Sequence, residues 1–112
     1  MEKMSVQRIA KVVGLPTESM AEYERLHQAV WPTVLSRITA SNIHNYSIYR
    51  YGELLFSYME YTGDDLEADM AAMAADPETQ RWWALMEPLQ KQTPDSVSDE
   101  WWTPTHEVFH LD

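Results

Sequence analysis

The hydrophobic positions at the start of the chain form one short run. Residues 6–13 are apolar and mostly β-branched except at three polar positions, and Gly14 and Pro16 close the run. This composition and this ending predict a first β-strand. Residues 1–5, which precede the run, are predicted to be a loose leader outside the strand.

Apolar and amphipathic residues next recur at the three- and four-residue spacing of an α-helix. The recurring positions are Met20, Tyr23, Leu26, His27 and Val30. Ser19 and Glu22 have the spacing of a capping box, so we expect the helix to begin there. Pro32 lacks a backbone N–H and disfavours helical angles at Trp31, which predicts a break and a short second segment over residues 33–39. The break places Trp31 at a corner.

Two aromatic-rich runs, residues 43–51 and 54–61, are separated only by Gly52 and Glu53. A connection this short is typical of a β-hairpin, so the runs are predicted to be the second and third strands. Alternate side chains of a regular strand point to opposite faces. The alternation predicts one face with His44, Tyr46 and Ile48, and the other with Asn45, Ser47 and Tyr49.

Aspartate residues mark the starts of two further helices. Asp64 is predicted to cap the first of them. The apolar side of that helix would carry Leu66, Met70 and Met73. Asp76 followed by Pro77 predicts the next helix, because aspartate is a good N-cap and proline a good first residue. Residues 91–104 are mostly polar and predict a loop segment, and residues 107–111 predict the last strand.

The predicted order of elements is strand, helix, strand, strand, helix, strand. This βαββαβ order is typical of ferredoxin-like α+β domains with a four-stranded antiparallel sheet. The 112 residues are expected to form a single domain whose helices cover one face of the sheet. A second copy of the same sheet would cover the other face in an isologous contact. The expected assembly is a homodimer of the dimeric α/β barrel type.

Composition narrows the class of partner. The chain has 8 Lys and Arg against 18 Asp and Glu, a formal charge of −10, which disfavours nucleic acid and anionic lipid. It has no cysteine, no signal-peptide pattern and no apolar run near the ~20 residues that a membrane span requires. We therefore expect a cytoplasmic protein with no nucleic-acid or membrane partner. The 5 Trp, 6 Tyr and 7 Met favour both a dimer face and a ligand site.

Tyr23 and His27 are the first candidates for chemistry, because a four-residue spacing places both on one face of a helix. An unperturbed histidine has a pKa of about 6.5, so His27 suits proton transfer near neutral pH and is the candidate catalytic residue. An arbitrary helical histidine more often bonds to a carbonyl without a catalytic role, and Tyr23 taken alone is more often a packing residue. The aromatic and polar company of His27 favours the catalytic interpretation.

Trp82 and Trp83 are adjacent, so their side chains point about 100° apart on a helix. One of them is expected to anchor the core, while the other offers an indole face to the apolar side of a pyranose; a core role for both stays open. Tyr46 on the second strand supplies a further phenol. Together with His27, these groups are typical of a site for a small neutral sugar.

The sequence carries no motif for a cofactor. Its four histidines fall in no spacing typical of zinc, and three glycines leave little room for a phosphate-binding loop. The scattered acidic residues are expected to be solvated surface rather than a paired-carboxylate site. We therefore expect neither a metal nor an organic cofactor. A second tryptophan pair, Trp101-Trp102, is either a dimer contact or a lid.

Five ordered blocks of the sequence resemble the L-rhamnose mutarotases, small cytoplasmic isomerases with the dimeric α/β barrel fold. The blocks are Glu22-Tyr23-Glu24-Arg25 leading to His27, Trp31-Pro32, His44-Asn45-Tyr46-Ser47-Ile48-Tyr49, Gln80-Arg81-Trp82-Trp83 and Glu107-Val108-Phe109. The resemblance implies that His27 is the proton donor. It implies that the sugar is bound by Tyr23, Tyr46, Trp82 and Trp83. It also implies interconversion of the α and β anomers of L-rhamnose, without metal or cofactor, in L-rhamnose catabolism.

Mutarotation needs a proton at the ring oxygen and loss of one from the anomeric hydroxyl, after which the opened sugar rotates about C1–C2 and recloses. General acid–base assistance contributes about 10²- to 10⁴-fold to such a step. Two other functions stay open: a cofactor-independent monooxygenase on the same fold, and a sugar-binding module in which His27 only donates a hydrogen bond. The choice between L-rhamnose and a close analogue such as L-fucose also stays open, since one group in a pocket discriminates by about 1–3 kcal/mol.

Overall fold

The structure is a computed structural model that describes residues 6–96 and 100–112. Its strands are β1 (Gln7–Gly14), β2 (Ile43–Tyr51), β3 (Leu54–Tyr61) and β4 (Thr103–Pro104). Its helices are α1 (Met20–His27), α2 (Pro32–Ala40), α3 (Leu66–Ala74) and α4 (Pro77–Met86). Short 3-10 turns precede α1 at Thr17–Ser19 and follow α4 at Glu87–Leu89. The predicted leader, residues 1–5, and part of the predicted loop, residues 97–99, lie outside the described residues.

The strands form one antiparallel sheet with the order β2-β3-β1-β4. β1 pairs with β3 over its full length, and β2 pairs with β3 through the predicted hairpin. This is the strand order of a ferredoxin-like α+β fold, so the predicted fold class is confirmed. Gly52 in the hairpin turn has a φ of +56°, a backbone conformation that glycine adopts at little cost.

The helices pack on one face of the sheet, which we call the inner face. Its buried core consists of Val13, Leu15, Tyr23, Val34, Leu55, Trp82 and Met86. Val13 and Leu55 are opposite each other on β1 and β3, so the sheet supplies the floor of this core. Tyr23 from α1 and Trp82 from α4 pack onto that floor. No helix in the described residues is long and apolar enough to cross a membrane.

The opposite face of the sheet, the outer face, carries an apolar surface. Its residues in the strand register are Ala10, Val12, Tyr49, Tyr51, Leu54, Phe56 and Tyr58. Phe56 lies at the centre, between Val12 on β1 and Tyr49 on β2, and is 39% exposed. Tyr51, opposite Leu54, is 79% exposed. Contiguous exposed apolar surface of this kind is typical of a contact surface.

The predicted start of α1 is confirmed, because Ser19 is its N-cap residue, but the helix ends at His27, before the predicted position Val30. The capping box at Ser19 and Glu22 is wrong, because Ser19 already has near-helical angles in the 3-10 turn and makes no side-chain cap bond. Glu22 pairs instead with Arg25 along the helix. The predicted break is confirmed, since Pro32 is the first residue of α2 and Trp31 has an extended ψ of 134°.

Aspartates cap both α3 and α4. Asp76 caps α4 as predicted, with its carboxylate accepting from the Thr79 N–H at 2.9 Å. The predicted cap at Asp64 is wrong by one residue, because Asp65 accepts from the Ala68 N–H at 3.1 Å. A capping carboxylate reaches the amide three residues ahead, so the cap is the residue directly before the first helical turn.

The predicted last strand over residues 107–111 is wrong. The strand is Thr103–Pro104, at the edge of β1, and its ladder ends where Thr105 donates to a β1 carbonyl. Proline has no N–H with which to continue a ladder. Beyond that point side chains hold the chain, since Arg8 donates two 3.0 Å hydrogen bonds to the Glu107 carboxylate. The apolar side chains that suggested a strand are exposed, and they are Val108, Phe109 and Leu111.

Candidate active site

Tyr23 and His27 form the centre of the candidate site, one helical turn apart on α1. Their rings stack with centroids 4.2 Å apart and planes inclined by 28°. The His27 Nδ1 atom lies 2.9 Å from the backbone carbonyl oxygen of Tyr23. The four-residue spacing therefore brings these two side chains together, as the sequence predicted.

The hydrogen bond at Nδ1 fixes the tautomer of the neutral His27 ring. A carbonyl oxygen only accepts hydrogen bonds, so Nδ1 carries the proton. In the neutral ring, Nε2 then holds the lone pair and is available to accept a hydrogen bond. The carbonyl-bonded histidine that the sequence left as an alternative is therefore present, and the bond occupies only one of the two ring nitrogens.

Trp82 packs against His27 from α4. The centroid of its ring lies 5.3 Å from the centroid of the His27 ring and 5.3 Å from that of the Trp31 ring, and both contacts are edge to face. Trp82 is 6% exposed and belongs to the core, whereas Trp83 is 38% exposed. The adjacent tryptophans therefore divide as their angular separation predicts, with one in the core beside His27 and one at the surface.

Tyr46 enters the site from an irregular part of β2. Asn45 and Tyr46 both stand opposite a single residue of β3, which makes a β-bulge between His44 and Ser47. Asn45 has a φ of +49°, a left-handed conformation that asparagine tolerates. Tyr46 shares the inner face with Ile48, which packs against the core. The predicted shared face of His44 and Tyr46 is wrong, because the bulge returns His44 to the outer face.

Burial controls the ionisation of both phenols. It raises the pKa of Tyr23 to about 12, against an opposing hydrogen bond from Gln90. Tyr46 is 42% exposed as a whole residue, yet burial around its hydroxyl raises the pKa of that phenol too. An ionised Tyr46 would raise the pKa of Tyr23 further, so the two hydroxyls lie within electrostatic range. Both phenols are neutral hydrogen-bonding groups at ordinary pH.

The structure adds three residues that the sequence did not assign to the site. Gln90 donates to the Tyr23 hydroxyl oxygen at 3.3 Å and accepts from the Trp101 indole at 2.7 Å. Trp31, predicted only as a corner residue, packs against Trp82. The high tryptophan content was the one sequence signal that pointed to Trp31 and Trp101. No sequence signal pointed to Gln90, because nothing distinguishes it from the polar residues that follow it.

The combined groups suit a small polyol better than a charged ligand. They comprise one titratable imidazole, two neutral phenols and indole surfaces, and the carboxylates nearby pair with other side chains. For example, Glu24 on α1 accepts from Arg50 on β2 at 2.8 Å. In the described residues, no group of three or more potential ligands is placed to hold a metal ion.

Comparisons of the sequence and the fold with known proteins agree on one family. The sequence profile of the L-rhamnose mutarotases matches residues 8–111. An L-rhamnose mutarotase from Opitutus terrae is 38% identical over 109 residues, which cover 94% of this chain and 98% of the relative. An L-fucose mutarotase from Xanthomonas campestris is 36% identical over 113 residues, covering 96% and 90%. The fold is also that of an L-rhamnose mutarotase from Formosa agariphila, whose crystal structure superposes with a TM-score of 0.74 at 22% identity, covering 95% and 99%.

Proposed function

Because this chain belongs to the L-rhamnose mutarotase family, we propose that it interconverts the α and β anomers of L-rhamnose with His27 as the proton-transfer group. Anomer interconversion is an isomerase-type reaction. The observation that carries the assignment of His27 is its hydrogen bond to the Tyr23 carbonyl, which leaves Nε2 as the exchanging nitrogen. The proposed function includes a cytoplasmic role in L-rhamnose metabolism, which rests on the family resemblance.

In the proposed mechanism, Nε2 of the His27 imidazolium protonates the ring oxygen of the pyranose. A tyrosine hydroxyl or a water molecule relays the proton that leaves the anomeric hydroxyl, and the C1–O5 bond breaks. Rotation about C1–C2 and reclosure on the other face give the second anomer; the ring oxygen returns its proton to Nε2, and the relay returns its proton to the new anomeric oxygen. The reaction consumes no electrons and no net proton, so the imidazolium and the relay group are restored after each cycle.

The sugar is held by the aromatic residues around His27 in this proposal. Tyr23 and Tyr46 contact sugar hydroxyls, a role that their raised phenol pKa values favour by keeping both groups neutral. Trp82 and Trp83 supply indole surface for the apolar side of the ring. Trp83 has the exposed surface for this contact, whereas Trp82 acts mainly through the wall that it forms beside His27.

The family match and the named relatives favour a mutarotase over the two alternative functions. A monooxygenase of the same fold would consume oxygen with a phenolic substrate. A sugar-binding module would bind the sugar without accelerating exchange of its anomers. Oxygen uptake with a phenolic substrate would restore the first alternative, and the exchange experiment below tests the second.

The first test measures exchange between the α and β H1 signals of L-rhamnose at anomeric equilibrium by saturation-transfer NMR. We expect the wild-type protein to raise the exchange rate above that in matched buffer. L-Fucose is the matched comparison sugar, since an L-fucose mutarotase is among the relatives. Exchange of L-fucose alone would reassign the substrate, and binding of L-rhamnose without faster exchange would support the sugar-binding module.

We propose further that the protein is a homodimer in which two outer faces pack together. The central outer-face residue, Phe56, is flanked by apolar side chains on both neighbouring strands. An isologous contact would bury this surface twice and give the dimeric α/β barrel implied by the sequence. The exposed apolar end of the chain, residues 108–111, would add to the apolar surface available to a partner.

Phe56→Lys is expected to convert the dimer into monomers. The substitution places a charge at the centre of each copy of the interface, where desolvation costs several kcal/mol per ion, so dissociation should become at least about 100-fold easier. It lowers the net charge of −10 in magnitude, so a loss of association would not come from greater overall repulsion between the two copies. The measurement is mass by light scattering, with twice the 13.1 kDa chain mass expected for wild type.

Leu35→Lys on α2 is the matched control, because it adds the same charge at an exposed apolar residue of a helix. It should leave the mass unchanged. A wild-type mass of one chain, or equal dissociation in both variants, would contradict the proposed outer-face dimer.

A further inference from the structure

Three side chains form a hydrogen-bonded chain that ends at Tyr23. The Trp101 indole Nε1 donates to Gln90 Oε1 at 2.7 Å, and Gln90 Nε2 donates to the Tyr23 hydroxyl oxygen at 3.3 Å. Trp101 follows the polar segment after α4, whereas Tyr23 lies on α1. These hydrogen bonds thus join Trp101, which lies just before β4, to Tyr23 at the centre of the candidate site.

The polarity of this chain is fixed by Trp101. An amide side chain has one accepting oxygen and one donating nitrogen, and the two are easily exchanged by rotation. The indole N–H can only donate, so the atom of Gln90 that faces Trp101 is the accepting oxygen. The amide nitrogen then faces Tyr23, and the Tyr23 oxygen accepts.

This polarity determines where the Tyr23 hydrogen points. A phenol oxygen that accepts from Gln90 cannot use its own hydrogen in the same contact. Among the hydrogen bonds of the described residues, none runs from the Tyr23 hydroxyl to a protein acceptor. Tyr23 is 3% exposed, its ring stacks on the His27 ring, and its hydroxyl lies within electrostatic range of Tyr46.

We propose that Gln90, oriented by Trp101, is a positioning residue that directs the Tyr23 hydroxyl hydrogen into the sugar site, which makes Tyr23 a donor to a sugar oxygen. The proposal rests on the proposed mutarotase function. It gives Trp101 a defined task, which the sequence left between a lid and a dimer contact. Gln90 touches no reacting atom and acts only through Tyr23.

The surrounding segment is built to hold Trp101 in place. The amide of Gln92 donates to the Glu100 carbonyl at 3.1 Å, directly before Trp101. The hydroxyls of Thr93 and Thr103 lie 2.5 Å apart across the base of the same segment. At its start, Lys91 exchanges two backbone hydrogen bonds with Gly14 at the end of β1. The position of the indole donor therefore does not depend on Gln90 alone.

Gln90→Glu tests the polarity with almost no change in shape. The ionised carboxylate accepts from Trp101 as the amide oxygen does, but it has no N–H to donate. It accepts from Tyr23 instead and turns the phenol hydrogen away from the site. We expect the KM for L-rhamnose in the NMR exchange assay to rise about 10-fold, because a lost hydrogen bond to substrate is typically worth a factor of about 3 to 10. The kcat should change by less than about threefold.

The activity-independent readout is the indole ¹H–¹⁵N signal of Trp101. This signal should persist near its wild-type position in Gln90→Glu and move upfield in Gln90→Leu, which removes the acceptor. Because this signal does not depend on anomer exchange, it tests the hydrogen-bonded chain independently of the proposed mutarotase function. If wild type shows no anomer exchange, the function fails, while an unmoved signal in Gln90→Leu would overturn the hydrogen-bonded chain itself.

A double-mutant cycle tests whether Trp101 acts through Gln90. Trp101→Phe keeps the aromatic packing and removes the N–H, so it should raise KM about threefold. Combined with Gln90→Leu, it should add nothing to the effect of Gln90→Leu alone. Additive effects would assign Trp101 a separate role and overturn its part in the proposal.

Gln80→Leu is the matched control, since it makes the same substitution at an exposed glutamine of α4 whose amide donates to the Ala74 carbonyl and not to Tyr23. It should keep the wild-type KM. A purely structural role for Gln90 predicts that Gln90→Glu, which preserves shape, behaves like wild type. That result, or an equal rise of KM in Gln80→Leu, would overturn the proposal.

Discussion

His27→Asn is expected to remove most of the acceleration of anomer exchange while the protein stays folded. The asparagine amide reaches the Tyr23 carbonyl from nearly the position of Nδ1, which lies 2.9 Å from that oxygen in the wild type. It has no group that gains and loses a proton near neutral pH. General acid–base assistance is worth about 10²- to 10⁴-fold, so the protein-dependent exchange rate should fall by that range. Saturation-transfer NMR measures this rate directly.

His106→Asn provides the matched control, because it makes the same substitution at an exposed histidine after the last strand. It should leave the exchange rate at the wild-type value. Circular dichroism should show that both variants keep the wild-type fold. Full exchange activity in a folded His27→Asn protein would exclude His27 as the proton-transfer residue, and the acid would then have to be sought elsewhere in the site.

Trp82→Ala is expected to cost about 3–5 kcal/mol of unfolding free energy, the usual range for a buried large aromatic residue. Trp82 is 6% exposed and contacts the rings of His27 and Trp31. Domains of this size are stabilised by about 5–15 kcal/mol in total, so the variant should lose a large share of its stability. Urea denaturation followed by far-UV circular dichroism gives the difference.

Trp83→Ala is the internal control for this experiment, since it removes the same side chain at the next position of α4. Trp83 is 38% exposed, so its loss should cost about 1 kcal/mol or less, near the range of surface substitutions. As a proposed sugar contact, Trp83 should instead show its effect as a raised KM. Equal losses of stability in the two variants would contradict the division of the pair into a core residue and a surface residue.

The features that could be predicted from the sequence are those set by nearby residues. The strands over residues 43–51 and 54–61 have the predicted bounds, because a glycine-containing turn fixes the hairpin and aromatic residues fill both sides. The cap at Asp76 was predicted because its carboxylate needs only an amide three residues ahead. The contact of Tyr23 with His27 likewise needs only one helical turn.

The features that were not predicted depend on distant parts of the chain. The last strand was placed on the apolar residues 107–111, but the edge of β1 pairs with Thr103–Pro104 and leaves the apolar side chains exposed. The bulge in β2 was invisible to a rule of strict alternation, which placed His44 and Tyr46 together. Gln90 lies 67 residues from its partner Tyr23, and no local pattern encodes such a contact.

The single helical turn from Tyr23 to His27 has a consequence for protein design. The proposed acid–base group, the carbonyl that selects its tautomer and a stacking partner all lie on one five-residue piece of chain. Such a piece is portable, since any exposed helix with Tyr and His four residues apart can present the same nitrogen outward. Transplantation would carry over the proposed proton-transfer unit without the sheet, and the host scaffold would need to supply the walls that recognise a substrate.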